Sequence, residues 1–111
     1  MGSLVRFEHI SSSKEFSSVY KEAKKWHNDV CVVFYKPSIE SKLAIVASKK
    51  VGKAVIRNRC KRLIRAAFIK ICDEVADGVY IMVAKNGTDS ISFDKIQKSL
   101  NWSLRKLGCM R

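Results

Sequence analysis

The chain has 111 residues, with 22 lysines and arginines against 10 aspartates and glutamates, and a formal net charge of +12. That length holds one hydrophobic core and leaves little for a second domain, and 47% hydrophobic residues with a single proline exclude a disordered chain. The charge calls for an acidic partner, nucleic acid before an anionic membrane surface, and no run approaches the ~18 apolar residues of a spanning helix. Residues 1–11 show no clear period and read as irregular. Ser12-x-x-Glu15 fits a capping box, in which the serine oxygen takes a free backbone N–H and the glutamate reaches back. Phe16, Val19, Tyr20 and Ala23 follow at i, i+3, i+4 and i+7, which predicts a first helix over roughly Ser13 to Lys25. Val30 to Tyr35 is a short β-branched and aromatic run. Alternation puts Val30, Val32 and Phe34 on one face and Cys31, Val33 and Tyr35 on the other. Pro37-Ser38 marks a turn, after which Leu43 to Ala47 reads as the second strand of a hairpin.

Gly52 and Lys53 separate that strand from a long helix whose apolar stripe is Ile56, Cys60, Leu63, Ile64, Ala67 and Ile71. Gly78 closes the linker that follows. Val79 to Ala84 is a buried strand, Asn86-Gly87 a turn, and the last helix runs from about Phe93 to Leu107, with Ile96, Leu100, Leu104 and Leu107 facing inward. The predicted order is α-β-β-α-β-α, with room for one extra short strand, in a single α+β domain covering residues 1–111.

The four cysteines, Cys31, Cys60, Cys72 and Cys109, form no C-x-x-C pair, and His9 and His27 lie far from them, so zinc-site spacing is missing. Buried thiols in a reducing, cytoplasmic setting are expected, with no signal peptide. The acidic residues form no tight metal-ligand motif. Asp73-Glu74 and Asp77 cluster after the long helix, where they complement charge or face water.

Ten of the 22 basic residues and none of the 10 acidic ones fall between Ser41 and Cys72. Arg57, Lys61 and Arg65 recur at i, i+4 and i+8, with Asn58 and Arg62 in a second row beside them. One helix therefore packs into the core on one side and presents a cationic ridge on the other. Phosphate backbones are the commonest partner for such a field.

Within that block, Ser48-Lys49-Lys50-Val51-Gly52 followed by Ala54-Val55-x-Arg57-Asn58-Arg59-x-Lys61-Arg62-Leu63-x-Arg65 closely resembles the signature of the bacterial ribonuclease P protein subunit. Glu15-Phe16 with Val19-Tyr20, Val30 to Tyr35, and Tyr80 to Lys85 extend the similarity more weakly over most of the chain. The resemblance implies a fold similar to the second domain of ribosomal protein S5, with a left-handed crossover. It also implies a partner, the catalytic RNA of ribonuclease P, which cuts the 5′ leader from precursor tRNA. Magnesium is the implied cofactor, held mainly by RNA, and no residue of the protein is expected to be catalytic. No membrane and no further protein partner is implied. Arg57, Asn58, Arg59, Lys61, Arg62 and Arg65 match the family's RNA-contacting helix, and Lys49, Lys50 and Lys53 the loop leading into it. Arginine forks suit phosphate, lysines give point charges, and an asparagine amide suits a base or ribose. Phe16, Tyr20, Phe34 and Tyr80 match the family's leader-binding cleft between the first helix and the sheet, where aromatic faces suit single-stranded RNA. Ala23, Asp29, Ala66 and Val79 depart from the usual pattern; Asp29 and Val79 bear on local metal or leader contacts.

Other readings of the same residues are a ribosomal or RNA-chaperone-type binding protein, a helix-turn-helix DNA binder, an amphipathic membrane helix and a histidine-pair nuclease using His9 and His27. The basic helix is flanked by strands, against the helix-turn-helix. Its apolar stripe lacks interfacial aromatics, against the membrane. One histidine lies in a patternless segment, against the nuclease. Trp26 and Trp102 receive no role beyond partial burial.

Overall fold

The computed structural model describes residues 4–110. After a 3-10 turn at Leu4–Arg6, the elements are β1 (Glu8–His9), α1 (Ser13–Glu22), β2 (Lys24–His27), β3 (Cys31–Pro37), β4 (Lys42–Val46), α2 (Ala54–Ile71), β5 (Gly78–Ala84) and α3 (Phe93–Lys106). The strands form one mixed sheet in the order β1-β4-β5-β3-β2. β5 runs antiparallel to β3 and parallel to β4; β1 runs parallel to β4, and β2 antiparallel to β3.

The expected hairpin of residues 30–35 and 43–47 does not form. β5 inserts between the two strands, pairing Tyr35 with Tyr80 on one side and Leu43 with Tyr80 on the other. Its apolar run Val79–Met82 is buried on both faces, which belongs at the centre of a sheet and not at an edge. Insertion is tight at Gly78. A Cβ there would stand 2.7 Å from both the Lys36 carbonyl oxygen and Tyr35 Cε1. Gly78→Ala is therefore expected to lower stability by about 2–3 kcal/mol, since a backbone atom cannot retreat as a flexible side chain does. A thermal melt checks this; an unchanged midpoint would contradict the close approach.

The sheet separates two apolar layers. Cys31, Val33, Tyr35, Leu43, Ile45, Tyr80, Met82 and Ala84 face α2 and α3. Val79 and Ile81, with Phe34, Ala44, Val46 and Val83, face α1, where Val19 is the most deeply buried helical residue. The stripes read from α2 and α3 point inward as expected, and Phe68 joins them, fully buried.

Residues 1–3 of the segment read as irregular lie outside the described residues, and the rest of it is more ordered than its lack of period suggested. Phe7 enters the core, edge-on to Phe68 at 5.2 Å and to Tyr80 at 5.9 Å between ring centroids. Arg6 reaches the far end of α2, donating to Asp77 Oδ1 at 2.5 Å, Cys72 O at 2.6 Å and Val75 O at 2.9 Å. Asp77 thus answers an arginine from the opposite end of the chain. The capping box is half made. Ser12 Oγ accepts from Glu15 N at 3.1 Å, but the Glu15 carboxylate accepts from Lys42 Nζ at 2.9 and 3.1 Å. α1 stops at Glu22, before the predicted Lys25, because the chain turns at Ala23 into β2. All four cysteines are buried, and no disulfide joins any of them among the described residues. Burial pushes the Cys31 and Cys109 thiols up to about 11, so both stay protonated at neutral pH.

Candidate nucleic-acid interface

α2 is held by its buried side: Cys60, Ile64, Ala67, Phe68 and Ile71 lie against the sheet and α3. That anchorage leaves the opposite side to water. Asn58, Arg59, Arg62 and Arg65 are exposed there, with Arg57 and Lys61 half-buried. Lys49 and Lys50 stand exposed on a 3-10 turn (Lys49–Val51), and Lys53 is the residue before the helix. The structure thus carries all nine predicted basic and amide residues on the loop before α2 and on its N-terminal two-thirds, and brings Asn58, Lys61, Arg62 and Arg65 together along one groove.

Among the described residues, none of these eight cations lies within ion-pair distance of a carboxylate; the bridges present use Arg6, Lys36, Lys42 and Lys98. The first turn of α2 carries no acidic residue and no side-chain cap. Unfilled N–H groups and the positive end of the helix dipole therefore add to the cationic field.

The ridge borders a groove of about 540 Å³ between α2 and β4, lined by Ile45, Val55, Asn58, Lys61, Arg62 and Arg65. Val55 is an apolar side chain 77% exposed at its mouth, a residue that the charge pattern does not single out. A second residue missed from sequence is Asn86. Turned to donate, its amide nitrogen reaches Lys50 O at 3.1 Å and Val51 O at 3.2 Å, pinning the loop that carries Lys49 and Lys50. Only its place in an Asn-Gly turn could have drawn attention to it.

Three of the four aromatic residues expected in a cleft come together. Phe16 and Tyr20 on α1 lie 6.2 Å apart between centroids, and Tyr20 meets Phe34 of β3 edge-on at 4.8 Å. Tyr20 is 41% exposed, and Phe16 and Phe34 are partly buried. They form the accessible rim of the layer between α1 and the sheet. Tyr80 is not with them. It points to the other side of the sheet, fully buried among Phe7, Tyr35 and Phe68, and its hydroxyl donates to Ala76 O at 2.6 Å. Register explains this. Phe34 pairs with Ile81, so Ile81 shares its face and Tyr80 does not. Burial raises the Tyr80 phenol well above its ordinary range, in keeping with a core position.

Among the described residues no group of three or more histidine, cysteine, aspartate or glutamate side chains is placed to hold a metal ion. No helix of the described residues is long and apolar enough to cross a membrane.

Comparison with known proteins gives this surface a context. The Ribonuclease P family model matches residues 4–108. The ribonuclease P protein component of a Nitratiruptor species is 38% identical over 98 residues, covering 88% of this chain and 90% of that protein. That of Shouchella clausii is 34% identical over 103 residues, covering 89% and 84%. The solved RNase P protein of Staphylococcus aureus superposes with a TM-score of 0.81 at 28% identity, over 93% of this chain and 97% of its own. That of Thermotoga maritima gives 0.76 at 25%, over 88% and 96%. A matching family model over nearly the whole chain, relatives above 30% identity and the shared α+β fold agree, and the chain belongs to the ribonuclease P protein family.

Proposed function

We propose that this protein binds the catalytic RNA of ribonuclease P through Lys49, Lys50, Lys53, Arg57, Asn58, Arg59, Lys61, Arg62 and Arg65, and helps it remove the 5′ leader of precursor tRNA in the cytoplasm. The observation that carries this reading is the α2 ridge, whose cations have no carboxylate in reach among the described residues, on a chain of this family. A uniform row of cations suits the backbone of a folded RNA: arginines grip phosphate pairs, and lysines neutralise the field between two polyanions that must approach. Asn58, exposed in the middle of the ridge, offers both donor and acceptor to a base edge or ribose. The bond-breaking chemistry lies in the RNA. Magnesium is held mainly by RNA phosphates, and the protein lowers the magnesium needed by supplying fixed positive charge. No further protein partner is required.

The leader lies against Phe16, Tyr20 and Phe34. Their partial exposure, between a helix and a sheet, presents aromatic faces to an unpaired strand. Tyr80 takes no part in that contact. Phe34→Ala is expected to weaken holoenzyme binding of precursor tRNA about tenfold, as one lost base–aromatic stack does, with little change for mature tRNA. Equilibrium binding of the two RNAs to the reconstituted holoenzyme checks this, with a melt to confirm folding. Equal losses for both RNAs would assign Phe34 to packing alone.

A further inference from the structure

The molecule carries a second cationic surface at the other edge of the sheet. β4, beside the α2 groove, and β2 are three strand steps apart, roughly 14 Å. There the end of β2, the turn after it and α3 enclose a groove of about 520 Å³, with Trp26 on one wall, Lys98 and Trp102 on the other, and Asn28 between them. Both tryptophans of the chain stand in this groove, 36% and 51% exposed.

The groove is set before any ligand arrives. Asn28 Oδ1 accepts from Val30 N and Cys31 N, both at 2.7 Å, and Asn28 Nδ2 donates to Ser103 Oγ on α3 at 2.7 Å. Lys85 Nζ donates to the Asn28 carbonyl oxygen. The turn beside Trp26 is thereby tied to the helix that carries Trp102, which fixes the width between them. The surroundings are basic. Alternation puts Lys24 on the same face of β2 as Trp26. On α3, Lys98, Trp102 and Lys106 recur at i, i+4 and i+8, and Lys106 Nζ lies 4.5 Å from the Trp102 ring centroid. The nearby carboxylates are Asp29, on the groove wall, and Asp94, which pairs with Lys98 at 3.2 Å on the exposed surface.

A second copy of a +12 chain would bring lysine against lysine here. An acidic polypeptide would answer the lysines but leave the indole faces unused. An unpaired ribonucleotide answers both, with its base on an indole and its phosphates on the flanking lysines. We propose that the groove between β2 and α3 is a second single-stranded RNA site, in which an unpaired base stacks on Trp26 and Trp102 while Lys24, Lys98 and Lys106 meet the adjoining phosphates. It is separate from the α2 ridge and from the Phe16, Tyr20 and Phe34 rim, so one protein can hold a further RNA segment beside the catalytic RNA and the leader.

Because the sequence has no other tryptophan, indole emission reports on this groove alone. The test uses the full-length chain carrying Arg57→Ala, Arg62→Ala and Phe34→Ala, which weakens both the α2 ridge and the aromatic rim on α1 and β3, titrated with a short unstructured oligouridylate. Indole emission and the anisotropy of the labelled RNA are followed together. Saturable quenching that tracks the anisotropy is expected, with Trp102→Ala weakening binding about tenfold and Trp102→Phe weakening it less. RNA bound to saturation with emission unchanged would overturn the proposal, as would equal affinity for Trp26→Ala, Trp102→Ala and their parent. So would an emission change that follows protein concentration without RNA, accompanied by dimers in sedimentation, which would give the groove to a second copy. Trp102→Phe keeps an aromatic ring in place and guards against misfolding of the alanine variants.

Discussion

Replacing Arg57 and Arg62 together by alanine is expected to weaken binding to a bacterial ribonuclease P RNA by at least about tenfold at physiological salt, and to flatten its salt dependence. Each lost phosphate contact lowers the log–log salt slope by about 0.7–0.9, so the pair lowers it by roughly 1.4–1.8. Fold stability should barely change. Arg62 is exposed, Arg57 is half-buried, and among the described residues neither pairs with a carboxylate whose loss would be felt. This separation matters because it divides recognition from folding: the buried side of α2 keeps the helix in place while its outer side is stripped. Filter binding across a salt series gives the slope directly. A slope equal to that of the parent would remove the ridge from the interface, whatever the family membership.

The second large effect falls in the core beneath α2, on the same side of the sheet. Tyr80→Ala is expected to lower stability by about 3–5 kcal/mol, enough to unfold much of the population of a domain this size. Its ring fills the space among Phe7, Tyr35 and Phe68, with centroids 5.0–5.9 Å away. Tyr80→Phe keeps that packing but leaves the Ala76 carbonyl without the hydroxyl 2.6 Å from it, and should cost about 1–2 kcal/mol. Urea denaturation of both variants checks the pair. A stable Tyr80→Ala protein that failed only with leader-bearing substrate would return Tyr80 to the RNA-binding face and contradict the observed register.

The two sides of β5 show what a single chain of letters can and cannot reveal. The apolar stripes of α2 and α3 were legible because a helix of known pitch converts spacing into direction. The cationic ridge was legible for the same reason, since Arg57, Lys61 and Arg65 fall in one line whatever the helix packs against. Tyr80 was not. Alternation along β5 separates Tyr80 and Met82 from Ile81, but which set meets Phe34 depends on pairing register and on a strand order that places β5 between β3 and β4. Nothing local states that order. β1 and β2 escaped detection for a different reason: they are edge strands with every residue exposed, so they carry no hydrophobic alternation. Edge lysines such as Lys24 and Lys25 even suit that role, because they deter pairing with another chain. The Arg6 clamp on the end of α2 joins residues more than sixty positions apart, which no periodicity encodes. Trp26 and Trp102 had no role in sequence because the groove between them exists only once β2 is placed beside α3.

The central claim is that this protein works as the protein partner of an RNA enzyme. The most direct test is cleavage of precursor tRNA by a bacterial ribonuclease P RNA at low magnesium, with and without the protein. Correct 5′ processing restored by the protein, which is inactive alone, is the predicted result. RNA binding that is tight and salt-sensitive but brings no stimulation would contradict the account in favour of a ribosomal or chaperone role, and cleavage by the protein without the RNA would contradict its assignment of the chemistry.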